Sequence, residues 1–257
     1  VVNILIVEGN NLEIIERNTK ANIKIASTCY QESLAINMSQ ANFEVAMPFA
    51  PQLETAKRNP NDYDAIALTG SGIPYKPHEQ GAMPYMDYLE RVLQSGKPIL
   101  GSCWGMQAVA VALGGKCETN PKGTEAGIAK DIELTQEGRL HPAFKGIKNT
   151  FASPCIHRDH VTQLPKGAIR LAGNTVSENQ SMSYNLEGID YFGVQFHPEL
   201  EVGYINKLLK LRGVQATSND VIIEQPEPDD KSIFDTLERT KILGNWLHYA
   251  LKTKMAA

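Results

Sequence analysis

Several features are missing from this chain, and each absence removes a class of protein. No apolar run approaches the ~18 residues that a membrane span requires. There is no surplus of positive charge, because 25 Lys and Arg stand against 29 Asp and Glu for a formal net charge of −4. Such a balance offers no basic field to a nucleic-acid backbone or an anionic membrane, so nucleic-acid and membrane partners are set aside. The four cysteines, at 29, 103, 117 and 155, never form a C-x-x-C pair. That argues against a disulfide framework and a zinc knuckle. The opening Val1-Val-Asn-Ile-Leu-Ile-Val-Glu8 shows neither a basic leader nor a small-residue cleavage site and reads as a buried strand. The expectation is a reduced, cytoplasmic chain.

What is present suits an α/β protein. With 257 residues, 42% of them hydrophobic, the chain can bury a sizeable core without staples. Short apolar runs alternate with helical patterns, which favours a largely parallel sheet. The pattern predicts strands at Asn3–Glu8, Phe43–Phe49, Ala65–Thr69 and Pro98–Cys103, with helices over Thr28–Gln40 and Tyr85–Gln94. After Gly114-Gly115 the pattern changes to strands joined by turns, at Glu125–Thr135, Thr150–Ile156, Ala168–Ala172, Ser181–Leu186 and Tyr191–Phe196. Helices over Glu201–Leu211 and Ser232–Thr253 follow, separated by a proline-rich polar loop at 225–231. No internal repeat is present, and the organisation predicted is one domain, 1–257, with a helical C-terminal extension from about residue 201.

The most informative stretch is Pro98-Ile-Leu-Gly-Ser-Cys-Trp-Gly-Met-Gln107 and the small-residue run behind it. It reads as a buried strand, a sharp turn on Gly101-x-Cys103-x-Gly105, and a helix. A nucleophile at such a turn occupies a strained backbone conformation, and glycine on either side relieves the crowding. The N–H groups and dipole of the following helix stabilise a thiolate. The other three cysteines read as small buried hydrophobes. Of the six histidines, only His197 ends a strand cleanly, in Tyr191-Phe-Gly-Val-Gln-Phe-His-Pro-Glu199. Pro198 terminates pairing, and Glu199 can accept a bond from the imidazole, which gives nucleophile, base and orienting carboxylate. Asp62, Asp64, His78 and Glu79 lie near the Gly70–Gly72 loop without metal-ligand spacing and read as solvated.

Taken together, Gly101-x-Cys103-x-Gly105-x-Gln107 and Gly193-Val-Gln-Phe-His197-Pro-Glu199 resemble the class I, triad-type glutamine amidotransferases. Leu68-Thr-Gly-Ser-Gly72 stands where that family carries its glycine-rich oxyanion loop. Ile156-His-Arg-Asp-His-Val161, followed by Leu164-Pro165, resembles a segment best known from the amidotransferase domain of GMP synthases. The resemblance implies an α/β flavodoxin-like three-layer sandwich, with a mostly parallel central sheet and the active site at the carboxyl ends of its strands. It implies attack by Cys103 on the side-chain amide of glutamine, proton transfer by His197, orientation by Glu199, and an oxyanion held by the backbone N–H groups of Ser71 and Trp104. Gly70, Gly72, Gln107, His157 and Asp159 are the substrate-binding candidates. No metal and no organic cofactor is implied.

Two departures from the family pattern stand out. Arg158 replaces its glycine and Ile156 its serine, which reshapes the second substrate-binding segment, and the oxyanion loop carries an extra residue in Gly70-Ser-Gly-Ile-Pro74. Neither a Ser-Gly-Gly-x-Asp-Ser loop nor a G-x-x-x-x-G-K-[ST] loop is present, so no nucleotide site is evident. Three readings stay open. The first is a glutaminase-type amidotransferase, free-standing or paired with a separate ammonia-accepting synthetase subunit. The second is a hydrolase of a γ-glutamyl peptide or γ-glutamyl amine with the same triad. The third is a binding or regulatory member of the fold without turnover. An α/β hydrolase is disfavoured, because its acid precedes the histidine on a separate strand.

Overall fold

In the computed structural model the first strand, β1 (Asn3–Val7), alternates between two cores: Ile4 and Ile6 enter one, Leu5 and Val7 the other. That period of two is what a strand buried on both faces requires. The first half continues with α1 (Leu12–Lys20), α2 (Ala26–Ala35), β2 (Asn42–Ala46), β3 (Ala65–Leu68), α3 (Met83–Gln94), β4 (Pro98–Ser102) and α4 (Trp104–Ala112). Then come β5 (Lys116–Thr119), β6 (Glu125–Leu134), α5 (Gln136–Leu140), β7 (Thr150–His157), β8 (Asp159–Gln163) and β9 (Ile169–Gly173). The chain ends with β10 (Ser181–Leu186), β11 (Ile189–Val194), α6 (Val202–Arg212), β12 (Val221–Ile222) and α7 (Glu238–Ala250). The structure describes residues 1–213, 221–222 and 238–252.

The main sheet runs β2-β1-β3-β4-β11 in parallel and continues through β10, β9 and β6 in antiparallel fashion, with β7 and β12 both paired to β6. A separate antiparallel ribbon joins β5 to β8. Helices cover both faces. Tyr30 and Leu34 of α2 and Ile242, Leu243, Trp246 and Leu247 of α7 pack against Ile4, Ala67, Leu100 and Phe192 on one side. Tyr85, Leu89 and Val92 of α3 and Met106 and Val109 of α4 pack against Leu5, Ile66, Ile99 and Tyr191 on the other. The chain is thus a flavodoxin-like three-layer sandwich with an antiparallel addition from its second half.

The structure departs from the sequence expectation in the first crossover, which contains two helices. In the nine-residue α1 only Ile14 and Asn18 are buried, too few for a legible apolar stripe, and its start rests on Asn11 Oδ1 accepting from Ile14 N at 3.0 Å. The next helix stops at Ala35 rather than Gln40, and β2 ends at Ala46, short of Pro48, which has no N–H to donate. The ribbon of β5 and β8 was also hidden, since Cys117 is the sole buried residue of β5. The expected loop at 225–231, the segment 214–220 and the first residues of the expected last helix lie outside the described residues. No helix among the described residues is long and apolar enough to cross a membrane.

Trp246, 1% exposed, is the largest fully buried side chain of the described core. Trp246→Ala is expected to cost about 3–5 kcal/mol of stability by denaturant unfolding. Lys207→Ala, on the exposed face of α6, is expected to stay within about 0.5 kcal/mol.

Candidate active site

The site grows out of three neighbouring strand ends. Strands β4 and β11 pair in register, Gly101 with Gly193 and Ser102 with Val194, so two segments far apart in sequence leave the sheet side by side. Cys103 follows β4 directly, and its N–H donates to Val194 O at 2.8 Å, one last rung of the ladder. It then turns abruptly, with φ 50° and ψ −110°, into α4. A non-glycine residue held there costs on the order of 1–3 kcal/mol and persists only where its surroundings over-determine it. Gly105 makes the turn possible, because a Cβ there would lie 2.8 Å from Leu68 O of β3. The elbow predicted from Gly101-x-Cys103-x-Gly105 is therefore present.

His197 sits three residues beyond β11, and its N–H is anchored by Pro154 O at 2.7 Å. Its Nδ1 lies 2.7 Å from Glu199 Oε1, and since a carboxylate only accepts, the proton resides on Nδ1 in that bond. Ser102 Oγ donates to the same oxygen at 2.9 Å, and Ser33 Oγ of α2 holds the Glu199 backbone carbonyl at 2.9 Å. His197 and Glu199 are only 5% and 4% exposed. Burial opposes a charge on the imidazole, but the Glu199 carboxylate and the Cys103 sulfur outweigh it and push the His197 pKa up to about 10. Gly70 packs against both partners: a Cβ there would lie 2.6 Å from His197 Cε1 and 3.4 Å from Cys103 Cβ.

The loop after β3 is braced from the end of β1. Ser71 Oγ donates to Gly9 O at 2.6 Å, and Gly72 N–H donates to Asn10 Oδ1 at 2.8 Å. Asn10 is itself held by Glu8, which is fully buried and accepts from both Asn10 nitrogens and from Ser27 N at the head of α2. The Gly72 N–H is thus committed, whereas the Ser71 N–H meets no acceptor among the described residues. Trp104 N–H, at the first position of α4, has no intrahelical acceptor either. These two are the donors that the sequence pattern suggested for an oxyanion. Trp104 is fixed by its indole N–H donating to Tyr75 O at 2.9 Å and by an edge-on contact with buried Tyr85, centroids 4.8 Å apart.

In front of the thiol lies a cleft of about 280 Å³, bordered by Ser71, Gly72, Cys103, Trp104, Gln107 and the 156–159 segment. Gln107 donates to Asp159 O at 2.7 Å and to Gln195 Oε1 at 3.2 Å. Asp159 is thereby tied to α4, and its carboxylate accepts from Thr119 Oγ1 at 2.8 Å. His157 lines the cleft, yet its ring nitrogens face Asp159 O at 3.2 Å and the buried Glu125 Oε2 at 2.8 Å. Burial raises the Glu125 pKa, but bonds from His157, Asn174 and Gln180 outweigh it and hold the carboxyl below its usual value. The His157 side chain is thus occupied within the protein rather than free for a ligand. His160 turns to Ser177 Oγ at 3.1 Å. Gly70 borders a second, smaller cavity of about 30 Å³ behind the triad, together with His197 and Glu199.

Several supporting groups escaped the sequence reading. Glu8 and Asn10 follow the first parallel strand, a position at which such sheets place functional loops, and could have been suspected on that ground. Glu125, Asn174, Gln180 and Gln195 were given no role, because the contacts that matter join them to distant segments: Glu125 to Asn174 and Gln180 between β9 and β10, and Gln195 to Gln107 of α4. No group of three or more His, Cys, Asp or Glu suited to a metal occurs among the described residues.

The four cysteines differ sharply in setting. Burial pushes Cys29 up to about 12 and raises Cys117 and Cys155 as well, whereas Cys103 opens on the cleft. Iodoacetamide followed by peptide mapping is expected to label Cys103 well before the others. Earlier labelling of Cys29 or Cys155 would count against the assignment of the reactive thiol.

Comparison with known proteins agrees with this geometry. The glutamine amidotransferase class-I family matches residues 26–212. A γ-glutamyl-L-1-hydroxyisopropylamide hydrolase from a Pseudomonas species is 34% identical over 204 residues, covering 77% of this chain and 67% of that protein. The glutamine-hydrolyzing GMP synthase of Edwardsiella ictaluri is 33% identical over 150 residues, or 54% of this chain, and this chain spans only 26% of its length. Among solved structures, a glutamine amidotransferase from Thermotoga maritima superimposes with a TM-score of 0.69 at 20% identity, covering 97% of this chain and 98% of its own, a likeness of fold. With the family matched across both strand ends and the elbow between β4 and α4, this chain belongs to the class I glutamine amidotransferases.

Proposed function

We propose that the chain hydrolyses the side-chain amide of a γ-glutamyl group, glutamine being the simplest such amide, through a thioester on Cys103. The observation that carries the reading is the Cys103 elbow set beside a buried His197 whose Nδ1 is bonded to Glu199 at 2.7 Å. Cys103 Sγ attacks the amide carbon, and its proton resides on His197. The tetrahedral oxyanion accepts bonds from the Ser71 and Trp104 N–H groups, which need no reorganisation when charge develops. His197 then protonates the departing nitrogen as the C–N bond breaks. Water, deprotonated by His197, attacks the thioester, releasing the γ-carboxylate and returning the proton to the Cys103–His197 pair. Gln107 positions the 156–159 segment that flanks the substrate, with Gly70, Gly72 and Asp159 shaping the walls of the site.

Within this chemistry a leaving amine larger than ammonia has specific support. Likeness to the Pseudomonas γ-glutamyl amide hydrolase extends over 77% of the chain, against 54% for the GMP synthase. Ile156 and Arg158 also border the cleft where the family pattern has smaller residues. A second reading, release of ammonia to a separate synthetase subunit, draws on the GMP synthase likeness.

Purified protein incubated with glutamine, and separately with γ-glutamyl amines and peptides, is expected to release glutamate, and Cys103→Ala is expected to abolish release. Turnover of conjugates alone assigns the larger leaving group, and turnover of glutamine alone favours the ammonia-donating reading. Release that survives Cys103→Ala, or no release from any substrate by the intact protein, would sink the hydrolytic reading.

The pH dependence follows from the raised His197 pKa. The imidazolium is held below about 10 and lost as pH rises through that value. Protonation of the leaving amine therefore fades on the alkaline side, well above the ordinary imidazole range. Glu199→Gln removes the leading favourable charge, so the alkaline limb of kcat/KM is expected to move to lower pH, together with a fall in kcat.

A further inference from the structure

Arg212 is the last residue of α6, and Gly213 ends that helix in the left-handed conformation, φ 59°. A cation at a helix C-terminus ordinarily faces solvent and the helix dipole. This one lies across the oxyanion loop instead. A Cβ on Gly72 would come within 2.5 Å of its Nη2, so the guanidinium lies directly on the loop beside Ser71. Arg212 borders both the cleft in front of Cys103 and the small cavity behind the triad.

Among the described residues its charge has no counterpart. Arg58, Arg170 and Arg239 each meet a glutamate, but no carboxylate among the described residues forms an ion pair with Arg212. Burial disfavours the guanidinium cation above all, the Cys103 sulfur favours it, and the nearby charge of Arg17 opposes it further. A largely desolvated cation in a cleft costs free energy unless an anion joins it. Arg158, the other arginine of the cleft, is exposed and well hydrated.

Resting on the thioester reading, we infer that Arg212 binds the α-carboxylate of the γ-glutamyl unit and selects substrates that carry it. When the acyl oxygen sits on the Ser71 and Trp104 N–H groups, four C–C bonds of about 1.5 Å, through three carbons, separate the acyl carbon from the α-carboxylate. Ser71, Trp104 and Arg212 border the same cleft as Cys103, so the two ends of such a group face donors of one site. The planar fork of an arginine matches a carboxylate through two parallel bonds, which a lysine cannot reproduce. Arg212 would thus set KM, with the chemical step left to Cys103 and His197.

The test compares a γ-glutamyl anilide with its α-carboxamide counterpart, and γ-glutamylglycine with γ-glutamylethylamide, for the wild type, Arg212→Met and Arg212→Lys. Arg212→Met is expected to lower kcat/KM for the anilide about 10- to 100-fold, mainly through KM, with little change for the α-carboxamide. Arg212→Lys is expected to recover part of the loss. Equal effects on both anilides, or a loss confined to kcat, would overturn the assignment. A penalty on γ-glutamylglycine not shared by γ-glutamylethylamide would place the contact on the leaving amine and overturn it as well. Calorimetric titration of Cys103→Ala and of Cys103→Ala/Arg212→Met with the intact anilide reads the contact without turnover, so it separates this inference from the hydrolytic reading. Weaker binding by the double variant supports the inference. Equal binding, or none to either, contradicts it.

Discussion

The site depends on the parallel pairing of β4 with β11. Gly101 lies opposite Gly193, and the rung from Cys103 N to Val194 O closes the ladder at the point where both strands leave the sheet. A thiol and an imidazole 94 residues apart in sequence, 197 − 103, thereby emerge next to one another. Because side chains in a sheet have a period of two, a one-residue slip would turn Cys103 to the opposite face. The register is secured by the alternating cores, with Ile99 and Tyr191 on one side and Leu100 and Phe192 on the other. Hydrophobic packing fixes the spacing on which the chemistry relies.

Around that pair, buried polar groups hold the loops in place. Glu8 grips Asn10, which grips Gly72, while Ser71 bonds back to Gly9, so the oxyanion loop is tied to β1. Glu125 gathers His157, Asn174 and Gln180 beneath the far wall of the cleft. Such networks are costly when incomplete and rigid when satisfied, which suits donors that must be aimed before the reaction begins. They also explain why His157 contributes structure at the cleft wall instead of a free ring.

Beside these networks, two polar groups at the cleft bear on what it can bind. One is His197, whose Nδ1 is committed to Glu199 while Nε2 is buried without a hydrogen bond among the described residues. The other is the half-buried Arg212, a cation without an ion pair among the described residues, beside Gly72 of the loop after β3. A substrate bearing an amide at one end and a carboxylate three carbons away would engage both.

Much of this could be read from the order of residues. The glycine-flanked Cys103 between an apolar strand and a small-residue helix, and the His197-Pro-Glu199 stop after another strand, are local signals, because backbone strain, strand termination and tautomer control act over a few residues. The alternating strands and the flavodoxin-like class follow from the same short-range periodicity. The short helix α1 and the ribbon β5–β8 bury too few side chains to leave a stripe, and tertiary packing alone stabilises them. The occupied state of His157, the brace from Glu8 to Gly72 and the lodging of Arg212 over the oxyanion loop were decided by folding. Each joins groups from different elements, and no local pattern encodes a hydrogen bond or a desolvated charge whose partner lies tens of residues away, as Glu125 lies from His157 and Gly72 from Asn10.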